Sequence, residues 1–141
     1  MSDERIDIWN VFHDGSITVA EQSHDHVVMF VNIPYLRRRL QPLGDSFIVT
    51  LSGVTVCEFR HFDGECTSLV EALDVGEPEI LSTSSDRQPL TVHTTLGELI
   101  LSFETLELSL DSGSRVTYES VVTAAKEYWD EFERRGTRLP P

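Results

Sequence analysis

Residues 90–110 read LTVHTTLGELILSFETLELSL, and the period of this stretch decides the fold. From Leu90 to Thr95 apolar and polar residues alternate, Leu96-Gly97 offers a turn, and Leu99, Leu101 and Phe103 resume the alternation. A period of two sends successive side chains to opposite faces of a strand, so the pattern describes a β-hairpin with one buried face. Beyond Phe103 the phase slips, and Leu106, Leu108 and Leu110 hold the even positions. A one-residue slip would turn the apolar set towards water, so a bulge or tight turn is expected near Glu104-Thr105.

The same signature recurs upstream. Phe47, Val49 and Leu51 share one face, Gly53 interrupts the run, and Cys57 and Phe59 then follow on odd positions with Val54 and Val56 on even ones. A glycine inside such a run marks a bulge or bend. Ser16–Ala20 alternates after the turn signal Phe12-His13-Asp14-Gly15. His26–Ile33 is apolar on both faces and reads as a central strand, forming a hairpin with Ser16–Ala20 across a polar tip. Pro34 ends that strand, and Tyr35–Leu40 fits either a strand or a helical turn. Ile6, Ile8 and Trp9 would dock an N-terminal turn or strand on the core, and residues 66–75 a short helix or an extended connection.

Towards the C-terminus, Val121, Ala125, Tyr128 and Phe132 recur at helical spacing with Trp129 beside them, making one apolar stripe. Thr117 or Ser120 would cap this helix and Gly136 would end it. The expected fold is therefore α+β. It comprises a mainly antiparallel, strongly twisted or partly rolled sheet of about six to eight strands, with the C-terminal amphipathic helix packed on one face. One domain is expected over residues 1–136, with its helix over about 117–135 and a short tail at 137–141.

A chain of 141 residues with 40% apolar content is long enough to bury a real core. No apolar run approaches the roughly 18 residues of a membrane span. The opening MSDERIDIWN is acidic and polar where a signal peptide is basic and then apolar, and Cys57 and Cys66 form no CxxC pair. A cytoplasmic protein with reduced thiols is expected. The net charge of −13 argues against nucleic acid as a direct ligand and favours a basic partner reached by electrostatic steering.

Histidines stand at positions 13, 24, 26, 61 and 93. On a strand, His24 and His26 would point the same way and could share a metal, with His13 as third ligand; the competing reading is a polar hairpin tip. His13-Asp14 invites a general-base reading, but adjacent extended residues point apart, and an Asp-Gly turn accounts for both. G-x-S-x-G, a Walker loop and H-E-x-x-H are all lacking, so no catalytic residue and no cofactor are assigned. Arg37-Arg38-Arg39 would grip an anion or balance local charge. Glu71, Asp74, Glu77 and Glu79, then Glu119, Glu127, Asp130, Glu131 and Glu133, would present a site for a basic protein if they converge.

Phe12-His13-Asp14-Gly15-Ser16-Ile17, followed by an apolar strand and Tyr35-Leu36-Arg37-Arg38, resembles the start of a loose group of small acidic β-rich bacterial proteins. In that group an early F-H-D-x-x-I segment leads into a meandering sheet, and some members are described as immunity proteins of polymorphic toxin systems. The resemblance extends to about position 40 and carries over no catalytic residue. It implies a non-catalytic binding protein that blocks a partner toxin. Two other classes stand beside it: a small metal-dependent or histidine-based enzyme built on His13, His24 and His26, and a structural or assembly subunit.

Overall fold

Gly53 and Glu104, the two places where the apolar phase slips, lie side by side. A Cβ on Gly53 would stand 2.6 Å from Glu104 Cγ, and the Glu104 N–H donates to the Ser52 carbonyl at 2.9 Å. The computed structural model describes residues 4–73 and 76–138, with side chains through Glu133. In chain order its elements are helix α1 (Glu4–Val11), strands β1 (Ser16–Ser23) and β2 (His26–Asn32), helix α2 (Pro34–Arg37), and strands β3 (Ser46–Ser52), β4 (Val56–His61) and β5 (Cys66–Thr67). Helix α3 (Leu69–Leu73), strands β6 (Ile80–Ser82), β7 (Leu90–Thr94), β8 (Gly97–Ser102) and β9 (Thr105–Leu110), and helix α4 (Tyr118–Arg138) complete it.

The strands form two antiparallel sheets, ordered β1-β2-β3-β9 and β5-β4-β8-β7-β6. Since β3 pairs with β9 and β4 with β8, one two-stranded ribbon passes from the first sheet into the second. It bends at Gly53, where φ is 68°, and at Phe103-Glu104. The Thr55 N–H to Ser102 carbonyl bond, at 2.8 Å, holds the far side of the bend. Strands that switch sheets at such bends let two sheets share one interior. Met29, Val49 and Leu108 line up across the first sheet and Phe59, Leu99 and Val92 across the second, and all belong to one buried core. The antiparallel α+β architecture is as the period of the sequence indicates. Nine strands are present among the described residues, the one beyond the expected six to eight being the two-residue edge strand β5.

Residues 4–11 form a helix, not the expected turn or strand. Ile6, Ile8 and Trp9 in the helix and Phe12 just after it are buried, but Arg5, Asp7 and Asn10 alternate with them along so short a segment that no helical stripe shows. Trp9 Nε1 donates to the Arg5 carbonyl at 3.0 Å within its own helix. After it, Asp14 adopts φ 70°, and Gly15 lets the chain pass Val31, whose Cγ1 would be 2.8 Å from an added Cβ. The F-H-D-G turn is thus required by backbone packing. Pro34 opens α2, where its fixed φ suits the first helical turn.

Thr117 caps α4, its Oγ1 accepting the Ser120 N–H at 3.1 Å. The helix packs chiefly on α1 and α2. Val121 and Ala124, its buried residues, lie in the first two turns, whereas Phe132 is 56% exposed. Gly136 does not end the helix, which continues to Arg138, so the expected tail at 137 begins inside it.

Candidate functional site

The structure does not bring His13, His24 and His26 together. His24 sits in the turn between β1 and β2 at φ 53°, with Ser23 and His26 paired across it. The strand rule that would align positions 24 and 26 therefore does not apply there. His26 Nδ1 lies 2.9 Å from the carboxylate of its neighbour Asp25. His13 lies before β1, at the opposite end of that strand, and eight residues at ~3.3 Å each separate it from the tip by more than 20 Å. Among the described residues no group of three or more His, Cys, Asp or Glu side chains is arranged to hold a metal ion.

His13 instead joins an aromatic cluster at the α1–α2–α4 junction. Its ring stacks on Trp129 at 5.3 Å and 18°, and its Nδ1 donates to the Asn10 carbonyl at 2.8 Å. Asp14 Oδ2 is 3.9 Å from Nε2, beyond hydrogen-bond reach, so this carboxylate does not orient the imidazole as a general base requires. Tyr35 packs on Tyr128 at 4.4 Å and donates its hydroxyl to the His13 carbonyl at 3.1 Å. Burial, helped by Asp14 and Tyr128, pushes the Tyr35 phenol up to about 12. The aromatic residues of the C-terminal stripe meet these helices and not the sheet core.

Each arginine of the triplet is matched to a carboxylate. Arg37 is fully buried, and its Nε donates to Asp111 Oδ1 at 2.9 Å and to the Ser46 carbonyl at 3.1 Å. Its Nη2 approaches Oδ1 to 2.7 Å as an ion pair without the alignment of a hydrogen bond. Burial opposes ionisation of Asp111, but the N–H groups of Asp45 and Ser46 and the Arg37 guanidinium outweigh it and hold this carboxyl below the usual range. Arg38 pairs with Asp45 at 2.9 Å, and Arg39 grips both oxygens of Glu131 while lying over the Tyr128 ring. The triplet balances charge in place, the second of the two roles its sequence suggested.

The acidic residues divide between two neighbourhoods. Glu71 is exposed on α3, which packs on β1 and β4, with Glu77 exposed and Glu79 half-buried just beyond it. Asp74 lies outside the described residues. Glu127 and Asp130 are exposed on α4, while Glu131 is bound by Arg39. Glu119 and Glu127, with the hydroxyls of Ser120 and Thr123, line an open groove of about 430 Å³ beside Arg39. A second groove, of about 310 Å³, runs along β9 between Arg5, Arg115 and Tyr118.

Sequence reasoning did not single out the outward face of the first sheet. Val27, Met29 and Val31 of β2 point into the core, but Val28 and Phe30 point away from it and are only half-buried. Register aligns Val19, Phe30, Ile48 and Ser109 in one row across the four strands, and Glu21, Val28, Thr50 and Glu107 in the next. Val19 is 41% exposed, and neither Val28, Phe30 nor Ile48 belongs to the core or to the side chains packed upon it. Val19, Val28, Phe30 and Ile48 thus lie on the outward face of this sheet, with Glu21 at one edge and Glu107, ion-paired with Arg115 at 3.9 Å, at the other. The signal was present in the two-faced apolar run of β2, which is indeed an interior strand, but that run does not state whether anything covers its outer side. Comparison with protein-family models, curated proteins and solved structures finds no match to this chain.

Proposed function

We propose that this chain is a non-catalytic binding protein that holds a basic partner protein, in its most concrete form a toxin-neutralising immunity protein of the cytoplasm. One observation carries the reading: the net charge is −13, and each arginine of the Arg37-Arg38-Arg39 cluster is paired with a carboxylate, so the triplet presents no concentrated positive patch. A field of that sign steers and retains basic surfaces and repels nucleic acid. The free thiols of Cys57 and Cys66 suit a reducing compartment. Among the described residues no helix is long and apolar enough to cross a membrane. The resemblance of the Phe12–Ile17 segment to immunity proteins supports the same class.

The test immobilises the full chain and passes host lysate over it at low ionic strength. A basic protein that is retained and then released as salt screens the contact is expected, together with relief of that protein's toxicity on co-expression. Retention of no protein at any ionic strength would overturn the proposal.

A further inference from the structure

We infer that the outer edge of β9 takes an extended peptide segment as one added strand, in the groove beside Leu106; that the segment belongs to the partner rests on the binding-protein reading above. Beyond the turn at Gly113 the chain doubles back along β9. The Leu110 N–H donates to the Ser114 carbonyl at 2.7 Å and the Val116 N–H to the Leu108 carbonyl at 3.2 Å, around a bridge of Ser109 with Arg115. The chain then leaves the edge, because Thr117 caps α4 and the helix begins at Tyr118.

The edge left behind is open. The β3–β9 register runs without a bulge from Leu110 to Thr105, and the backbone groups of an antiparallel strand alternate in direction. Leu108 and Leu110 bond outward, away from β3, so Leu106 turns its N–H and carbonyl the same way. Among the described residues none bonds the Leu106 N–H, the Leu106 carbonyl or the Leu108 N–H. At the far end Arg5 Nη1 donates to the Glu104 carbonyl at 2.8 Å. The open stretch thus lies between Arg5 and Val116, and the groove of about 310 Å³ runs along it.

The unmade hydrogen bonds select the occupant. A residue set opposite Leu106 in an antiparallel strand exchanges two bonds with it, and the carbonyl two residues earlier accepts the Leu108 N–H. A short extended segment therefore satisfies all three groups. Its middle side chain shares the face of Leu106, beside Val116 and Tyr118, so an aliphatic residue suits that position. Glu107 and Arg115 are engaged with each other and hold no part of it. Glu4, Thr117 and Tyr118 wall the groove opposite β9, so a single extended chain enters where the folded sheet of a second copy does not. Main-chain bonds at an exposed edge, with a side-chain pocket for selectivity, are how strand addition recognises a peptide.

The test titrates the isotopically labelled full chain with an acetylated, amidated Thr-Leu-Thr tripeptide at millimolar concentration and follows backbone amides by NMR. Its control is the same peptide methylated on the leucine nitrogen, which removes the N–H aimed at the Leu106 carbonyl. Downfield shifts and slowed exchange at the Leu106 and Leu108 amides are expected, with affinity about tenfold lower for the methylated peptide. Leu106→Pro, which deletes one open N–H at an edge that tolerates the ring, should weaken binding similarly. If that variant fails to fold, the two peptides on the wild-type chain decide the same question. Equal affinity for both peptides, shifts confined to other elements, or no shift at all would overturn strand addition at β9. Shifts of these two amides that grow with protein concentration alone would assign the edge to a second copy and overturn it too. The source of the segment is read separately: the basic partner retained from lysate should slow exchange at the same two amides. A retained partner that leaves them unchanged removes it from this groove and keeps the binding-protein reading. Retention of no protein removes that reading, and the partner as source with it, while the peptide result stands.

Discussion

Arg37 and Asp111 lie 74 positions apart in the chain and meet beneath the loop between α2 and β3, Nε to Oδ1, at 2.9 Å. The guanidinium is fully buried and the carboxylate is 27% exposed. Asp111 also accepts the N–H groups of Asp45 and Ser46 through Oδ2, at 3.1 and 3.2 Å. One side chain therefore fixes both an ion pair and the entrance to β3.

Removing the carboxylate leaves a buried cation without its partner. Asp111→Ala is expected to cost about 3–5 kcal/mol in urea unfolding, whereas replacing both partners by apolar residues, Arg37→Met with Asp111→Leu, should cost much less. The acid limb follows from the same site. Asp111 titrates below its ordinary 3.8 when folded, so its contribution is complete above that pH and is lost as pH falls through the lower folded value. Stability of wild type should drop in that window more steeply than that of Asp111→Asn.

At the corner, Gly53 combines φ 68° with contact to Glu104. Gly53→Ala should cost about 1–3 kcal/mol, since a side chain there meets both backbone strain and a neighbour. Gly113 has φ 98° but nothing near its missing Cβ. Gly113→Ala should therefore retain the backbone penalty alone and shift the thermal midpoint less.

Tyr35 supplies an alkaline test. Its pKa is raised from 10.0 to about 12, so folding favours the neutral phenol. Its contribution is full below pH 10.0 and is lost as pH rises towards about 12. Burial and the Asp7 and Glu4 carboxylates also raise the Tyr118 phenol, so absorbance titration should show Tyr35 as the last tyrosine to ionise, and Tyr35→Phe should remove that last step. That variant should also lose about 1 kcal/mol at neutral pH with the bond to the His13 carbonyl, and its deficit should shrink above pH 10.

The two thiols should react at different rates. Cys66 is exposed, whereas Cys57 is partly buried and burial pushes its thiol up. A disulfide-exchange reagent at neutral pH should label one site quickly and the other slowly. Cys66→Ser should remove the fast phase and leave the slow one.

Much of the fold was legible because a strand advertises its buried face with every second residue. The slips at Gly53 and Glu104-Thr105 correctly marked where strands turn. That the two slips coincide could not be read, because it depends on β3 pairing with β9, a relation between segments that no local period encodes. Ile6 and Ile8 alternate as in a strand yet lie in α1, a helix of two turns whose buried Ile6, Ile8 and Trp9 are interspersed with polar residues and make no helical stripe. The stripe on α4 identified a face but not how far neighbouring elements extend beneath it, so Phe132 emerged exposed. The histidine grouping assumed a strand at residues 24–26 where the chain turns. The outward face of the first sheet was visible as apolar residues in β2 but not as a row across four strands, since that row depends on register between distant segments.

The ribbon of β3–β4 against β8–β9 has a consequence for how the molecule comes apart. A sandwich whose sheets are joined only by loops can open one sheet at a time. Here the ribbon supplies the β3–β9 pair to one sheet and the β4–β8 pair to the other, so loosening either one pulls on the hinge at Gly53. Native-state hydrogen exchange should find the slowest amides of the two sheets opening together, with a common free energy and denaturant slope, as one cooperative unit.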